Sequence, residues 1–175
     1  EGKGRLSMKG IMVQGTSSDS GKSFLVTALC RLLSDRGFRI CPFKSQNMSN
    51  NACVTRDGRE MSRAQAVQAE AARLEPETFM NPLLLKPRRD VSSEIVLEGR
   101  ALDTPAERGY YRTFTRTLGI EAVRRALRRI EERFDAVVIE GAGSPAEVNL
   151  RDNDIVNMRG ARHLQAPVLL IADID

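Results

Sequence analysis

The feature that most narrows the fold is a nine-residue segment, Gly15-Thr16-Ser17-Ser18-Asp19-Ser20-Gly21-Lys22-Ser23. It lies between two stretches of different hydrophobic period. Before it, Lys9–Gln14 (KGIMVQ) is a short apolar run that reads as a buried strand. After it, Phe24, Leu25, Ala28, Leu29, Leu32 and Leu33 recur at three and four, one face of a helix, and Gly37 reads as its C-terminal cap. A loop of small residues between a strand and a helix turns backbone N–H groups inward, and the helix N-terminus adds partial positive charge. That combination suits a polyphosphate. The usual phosphate-binding loop has four residues between its first Gly and its Gly-Lys; this one has five. Gly15, Thr16, Ser17, Asp19, Ser20, Gly21, Lys22 and Ser23 are therefore the expected nucleotide-binding residues. Lys22 would reach the β- and γ-phosphates of ATP, and the Ser23 hydroxyl would meet Mg²⁺.

The rest of the chain repeats the alternation. Phe38–Phe43 reads as a second strand, Ser45–Asp57 as a polar loop, and Ser62–Leu74 as a helix of strong formers stopped by Pro76. Glu94–Leu97 is a short extended piece. Pro105–Arg133 reads as mostly helical, with Ile120, Val123, Leu127, Ile130 and Phe134 on one stripe. Ala136–Ile139 and Val168–Ala172 are two further core strands. Strands alternating with helices predict an α/β, P-loop NTPase-like, doubly wound and mostly parallel sheet with helices on both faces. Ligands of such sheets bind beyond the C-terminal strand ends. The unusual residues stand there: Gly15–Ser23, Lys44–Asn51, Glu140–Ser144 and Asp173. Glu140 follows an apolar strand and is the expected second contribution to Mg²⁺, beside Ser23. Asp173 and Asp175 are either a further acidic contribution or plain strand-end residues.

Composition excludes several other chemistries. The single histidine, His163, rules out any site needing two, and it has no obvious partner. The three cysteines, Cys30, Cys41 and Cys53, form no C-x-x-C pair, so a disulfide framework is not expected and a reducing cytoplasm is. No apolar run reaches the ~18–20 residues that span a bilayer. The net charge of +4 admits nucleic acid, but the arginines mix with Glu and there is no Trp, so neither nucleic acid nor membrane is an expected partner.

Several motifs in order then resemble one family. Gly15–Ser23 is followed by Pro42-Phe43-Lys44-Ser45-Gln46-Asn47-Met48-Ser49-Asn50-Asn51. Next come Ser62-Arg63-Ala64-Gln65-Ala66-Val67-Gln68-Ala69-Glu70, and Asn81-Pro82 with Leu84-Leu85-Lys86-Pro87. The last is Glu140-Gly141-Ala142-Gly143-Ser144-Pro145-Ala146-Glu147. Together they resemble cobyric acid synthase, the glutamine-dependent amidotransferase of cobalamin synthesis, from Met8 to Asp175. The five-residue loop spacing is also similar to dethiobiotin synthetase.

The resemblance implies a carboxylate-amine ligase using ATP and Mg²⁺. A corrinoid side-chain carboxylate would attack the γ-phosphate, and ammonia would capture the acyl phosphate. The family does this at the b, d, e and g positions of adenosylcobyrinic acid a,c-diamide. Ammonia would come from glutamine in a separate glutaminase domain. Lys22, Lys44 and Glu140 are the implied catalytic residues. Related enzymes carry aspartates near the loop after Lys44, where this chain has Asn47, Asn50 and Asn51. Those amides are expected to bind substrate or simply to build the turn, and Glu60 is the substitute expected on the metal side. Arg63, Gln65 and Gln68 either face substrate or lie on a solvated helix face. Lys86, Arg88 and Arg89 either attract a polycarboxylate or serve solubility.

Two other readings stay open: a dethiobiotin-synthetase-like carboxylase, and a P-loop partition-type ATPase. The second usually needs an early lysine where this chain has Gln14-Gly15-Thr16. Residues 1–7 are expected to be a tag or extension. Residues 8–175 are expected to form the synthetase domain, cut before its last elements and before the glutaminase. A homo-oligomer is left open.

Overall fold

A computed structural model describes residues 8–88, 93–102, 115–142 and 165–172. Strand β1 (Lys9–Gly15) leads through the loop into helix α1 (Lys22–Asp35) and strand β2 (Ile40–Phe43). Short strands β3 (Gln46–Met48), β4 (Ala52–Val54) and β5 (Glu60–Ser62) precede helix α2 (Arg63–Ala71). A 3₁₀ turn at Thr78–Met80 leads into β6 (Leu83–Pro87), β7 (Ser93–Leu97) and β8 (Arg100–Ala101). A π turn at Thr115–Gly119 opens helix α3 (Ile120–Arg133), followed by β9 (Ala136–Glu140) and β10 (Val168–Ile171).

The main sheet runs β10-β1-β9-β2 and every pairing in it is parallel. Alternation along β1 splits the core. Met12 faces one side with Cys41, Phe43, Val137 and Ile139, and α3 covers them with Val123, Leu127 and Ile130. Val13 faces the other with Ile40 and Val138, and α1 covers them with Val26 and Cys30. Helices thus pack on both faces, as the alternating pattern predicts. The functional loop follows β1, which is flanked by strands on both sides.

α1 differs from its sequence reading in phase. Lys22, Val26 and Cys30 are its buried line, while Phe24 is 81% exposed and Leu32 46%. Lys22 turns inward to the loop, and residues four apart follow it onto the sheet. Leu25, Leu29 and Leu33 remain partly buried beside that line. Gly37 does terminate the helix. At φ 87° it donates to Ser34 O at 3.0 Å, while Phe38 N reaches Leu33 O at 3.2 Å.

Of a second sheet, β3-β6-β7-β8, the sequence reading holds only β7, as the extended piece Glu94–Leu97. β6 is three buried leucines between two prolines, too short for a period to show. β3 and β4 lie within the stretch read as a polar loop, and only their partners, Leu83–Leu85 and Glu60–Ser62, make strands of them. The α3 stripe is as expected at Val123, Leu127, Ile130 and Phe134, all buried. Three of its exposed arginines pair with acids outside the helix. Arg129 and Arg133 clasp Glu77 and stack on Phe79, and Arg125 clasps Glu98. His163, Arg89, Asp173, Asp175 and the stretch 143–147 lie outside the described residues.

Candidate active site

The loop after β1 is packed tightly around one lysine. Gly15 is the last residue of β1, and a Cβ there would sit 1.9 Å from Ser20 Oγ and 3.0 Å from Lys22 Nζ. Only hydrogen fits. Ser20 Oγ donates to Ser17 O at 3.1 Å, and Lys22 Nζ donates to Ser17 O and to Ser18 O. Thr16 N donates to Ile171 O at 2.9 Å, which ties the loop to β10. Gly21 caps α1 at φ 88°, a left-handed conformation that disfavours a side chain. The first turn of α1 holds no acidic residue and no side-chain cap. Its N–H groups keep their partial positive charge for an anion.

Lys22 is buried. Burial pushes its pKa below the ordinary lysine value, and the neighbouring Lys44 ammonium pushes the same way; Glu140 and Asp19 oppose them. Two lysines and one carboxylate therefore converge on the end of the sheet.

Glu140 is the centre of that convergence. It closes β9 and is 1% exposed. Its Oε1 accepts from Ser23 Oγ at 2.8 Å and from Lys44 Nζ at 2.7 Å. Its Oε2 accepts from Gln68 Nε2 at 2.5 Å and from Gln65 Nε2 at 3.4 Å. Lys44 extends from the end of β2, and its backbone is held on both sides: Lys44 N donates to Met80 O at 2.9 Å, and Asn81 Nδ2 donates to Lys44 O at 3.0 Å.

The structure thus brings together Ser23, Lys44, Glu140 and Gln65, with Lys22 alongside. Asn47 joins through its amide, which donates to Gln65 Oε1 at 2.9 Å and to Ser62 Oγ at 2.6 Å. Asn50 and Asn51 serve the turn after β3. Asn50 Nδ2 donates to Pro87 O at 3.1 Å, and Asn51 N to Ser49 Oγ at 3.0 Å. Arg63 is exposed at the start of α2.

Three placements differ from the expectations or narrow the alternatives left open. Glu60 does not join the Glu140 cluster; its carboxylate pairs with Lys86, which is thereby also occupied. Arg88 likewise pairs with Glu94. Gln65 and Gln68 are not on a solvated face: both are fully buried, one helical turn apart, against Glu140. Asn81 entered the sequence reading only within the Asn81-Pro82 motif, with no role given to it. Its Oδ1 accepts from Ser62 N at 3.1 Å and its Nδ2 also reaches Leu83 O at 3.1 Å, so it braces the base of Lys44. The available signal was an Asn at a polar-to-apolar boundary just before Pro82.

Ser23 Oγ and Glu140 Oε1 are hard oxygen donors already in contact. Among the described residues no group of three or more His, Cys, Asp or Glu side chains could enclose a metal. This set fits Mg²⁺, which takes one or two protein oxygens and completes its shell with phosphates and water.

Comparison with known proteins places the chain in a family. A family model described as the CobQ/CobB/MinD/ParA nucleotide binding domain matches residues 11–163. The chain belongs to that family. It is 51% identical over 168 residues to a cobyric acid synthase of Clostridium kluyveri, covering 96% of this chain and 33% of the relative. It is 54% identical over 168 residues to one of Synechocystis sp., covering 96% and 34%. It is 54% identical over 165 residues to one of Clostridium tetani, covering 94% and 33%. The chain spans about a third of the length of the curated relatives it matches. A nucleotide-binding domain of the P-loop type is thus established for the segment, and its α/β fold with a parallel sheet is that of the family. No helix among the described residues is long and apolar enough to cross a membrane.

Proposed function

We propose that this chain binds Mg-ATP on the Gly15–Ser23 loop and phosphorylates a carboxylate for amidation. The observation that carries the proposal is the meeting of Ser23 and Lys44 on one oxygen of the buried Glu140, beside Lys22. A cluster of two lysines at a helix N-terminus suits two anions that repel each other, the γ-phosphate and an attacking carboxylate. Lys22 leaves its loop carbonyls for the β- and γ-phosphates. Lys44 neutralises the transferring phosphoryl group or orients the acceptor. Ser23 and Glu140 would hold the divalent cation, which would supply charge neutralisation for phosphoryl transfer.

The acceptor carboxylate oxygen forms a bond to the γ-phosphorus as the bond from that phosphorus to the β,γ-bridging oxygen breaks, releasing ADP. Ammonia then adds to the acyl carbon, phosphate leaves, and the nitrogen gives up a proton. Carboxylates are poor electrophiles because oxide is a poor leaving group; phosphorylation removes that obstacle. The relatives named cobyric acid synthase support corrinoid carboxylates as acceptors, those at b, d, e and g of the a,c-diamide. Their length, about three times this chain, supports a separate glutaminase domain as the ammonia source. Residues 8–175 are then a synthetase domain within a longer protein, with cytoplasmic cobalamin synthesis as its setting.

The test is ATP-dependent amidation of the corrinoid diamide with added ammonia, with diaminopelargonate and DNA as alternative effectors. Lys22→Ala should abolish turnover while the circular dichroism spectrum is unchanged. Wild-type turnover in that variant, or stimulation by DNA in place of corrinoid, would overturn the proposal.

A further inference from the structure

Gln65 and Gln68 sit in the interior with their amides on a carboxylate. Both are fully buried, and both donate to Glu140 Oε2 while Ser23 and Lys44 take Oε1. A carboxylate with two donors on each oxygen has no rotational freedom left. Its two oxygens are also no longer equivalent: one faces α2, the other faces the loop and β2.

The amide orientations follow from charge. Glu140 next to an ammonium can only accept, so both glutamines must turn their NH₂ groups to it. Gln65 then presents Oε1 the other way, and Asn47 Nδ2 fills it at 2.9 Å. Asn47 is in turn anchored by Ser62 Oγ, which is spent there rather than capping α2. Gln68 has no such second partner: its Oε1 is buried without a hydrogen bond among the described residues. An orphaned buried acceptor destabilises the fold, but an apolar side chain of the same shape would also strip Glu140 Oε2 of a donor. The orphaned Oε1 offsets part of what the charge-assisted bond from Nε2 to Glu140 contributes.

We propose that Gln65 and Gln68 are positioning residues that lock the Glu140 carboxylate with Oε1 toward Ser23, so that this oxygen and the Ser23 hydroxyl present a ready-made edge to the divalent cation of the bound nucleotide. The proposal rests on the reading of the loop as an Mg-ATP site. Gln68, at 2.5 Å, is the stronger of the two; Gln65, at 3.4 Å, is the weaker and depends on Asn47 for its orientation. Partners that orient a metal ligand typically change metal affinity about 10–100-fold when removed.

The experiment measures ATP binding to the intact protein by calorimetry, once in EDTA and once across a Mg²⁺ titration, with Mn²⁺ paramagnetic resonance as a direct metal probe. Gln68→Met should bind ATP in EDTA like wild type, with the Mg²⁺ concentration for half-maximal enhancement raised about tenfold or more. A purely structural role would weaken ATP binding with and without Mg²⁺ alike, so the EDTA arm separates the two. Gln65→Met should show the same shift at smaller size. Asn47→Asp should mimic Gln65→Met, because a carboxylate there turns the Gln65 amide around. If Gln68→Met and Gln65→Met both keep the wild-type Mg²⁺ and Mn²⁺ response, the inference is wrong although the site stands. A wild-type protein whose ATP affinity ignores Mg²⁺, or is untouched by Lys22→Ala, would overturn the nucleotide-site reading and this inference with it.

Discussion

Replacing Glu140 by Gln tests whether the site is also a structural node. The change keeps shape and removes one charge. Glu140 accepts from Ser23, Lys44, Gln65 and Gln68, two donors on each oxygen. A glutamine must turn its NH₂ toward one of those pairs, setting donor against donor. If it faces α2, both buried glutamine amides lose their acceptor. If it faces β2, it meets an ammonium. In either case the Lys44 side chain, 11% exposed, keeps its charge with little water to solvate it. Breaking a buried pair by removing one partner costs about 3–5 kcal/mol. In a domain of this size each kcal/mol moves the melting temperature by about 2–4 °C, so a fall of roughly 6–20 °C is expected. The assay is thermal and urea unfolding without nucleotide, so that lost binding does not enter. Adding Lys44→Met to Glu140→Gln removes the stranded cation and should recover part of the loss, by an interaction term of about 0.5–3 kcal/mol. A single variant within about 1 kcal/mol of wild type, or a double variant with no recovery, would refute the argument that the ion pair is desolvated and mutually dependent.

Other expectations follow from the packing. Gly15→Ala puts a methyl 1.9 Å from Ser20 Oγ and 3.0 Å from Lys22 Nζ, so ATP affinity in calorimetry should fall by at least about tenfold, the factor that 1.4 kcal/mol of misplacement gives. Its far-ultraviolet circular dichroism should be unchanged, because the clash is confined to the loop. Burial pushes the Cys30 thiol up to about 12 and the Cys41 thiol well above its ordinary value. At pH 8 neither should react with a disulfide reagent in the native protein, while half-buried Cys53 reacts slowly; all three should react in denaturant. Prompt native labelling of all three would contradict the packing of α1 and β2.

Much of this was legible because its physics is local. The switch from an apolar run to a helical period across Gly15–Ser23 fixes a strand, a loop and a helix in order. Apolar runs ending in Lys44 and Glu140 place those two groups at strand ends, and parallel order puts those ends on one side. The nine-residue loop, its lysine and its hydroxyl needed no tertiary information.

The rest depends on partners far apart in the chain. β3 is a strand only because Leu83–Leu85 runs beside it, and a three-residue strand carries too little pattern to announce itself. The phase of α1 depends on which residue turns inward first. A buried lysine at its start moves Phe24 out, which hydrophobicity alone would not predict. The site shows the same division. Sequence alone determined which chemical groups stand at the strand ends of the proposed phosphate site: a lysine, a hydroxyl, a second lysine and a carboxylate. Tertiary structure alone decided that Glu60 pairs with Lys86, and that two glutamines on α2 go inside. A glutamine on a helix reads as solvent-facing until something charged is buried opposite it. Here that is the Glu140 carboxylate, 72 residues beyond Gln68 in the chain, and its need for donors overrides the glutamines' preference for water.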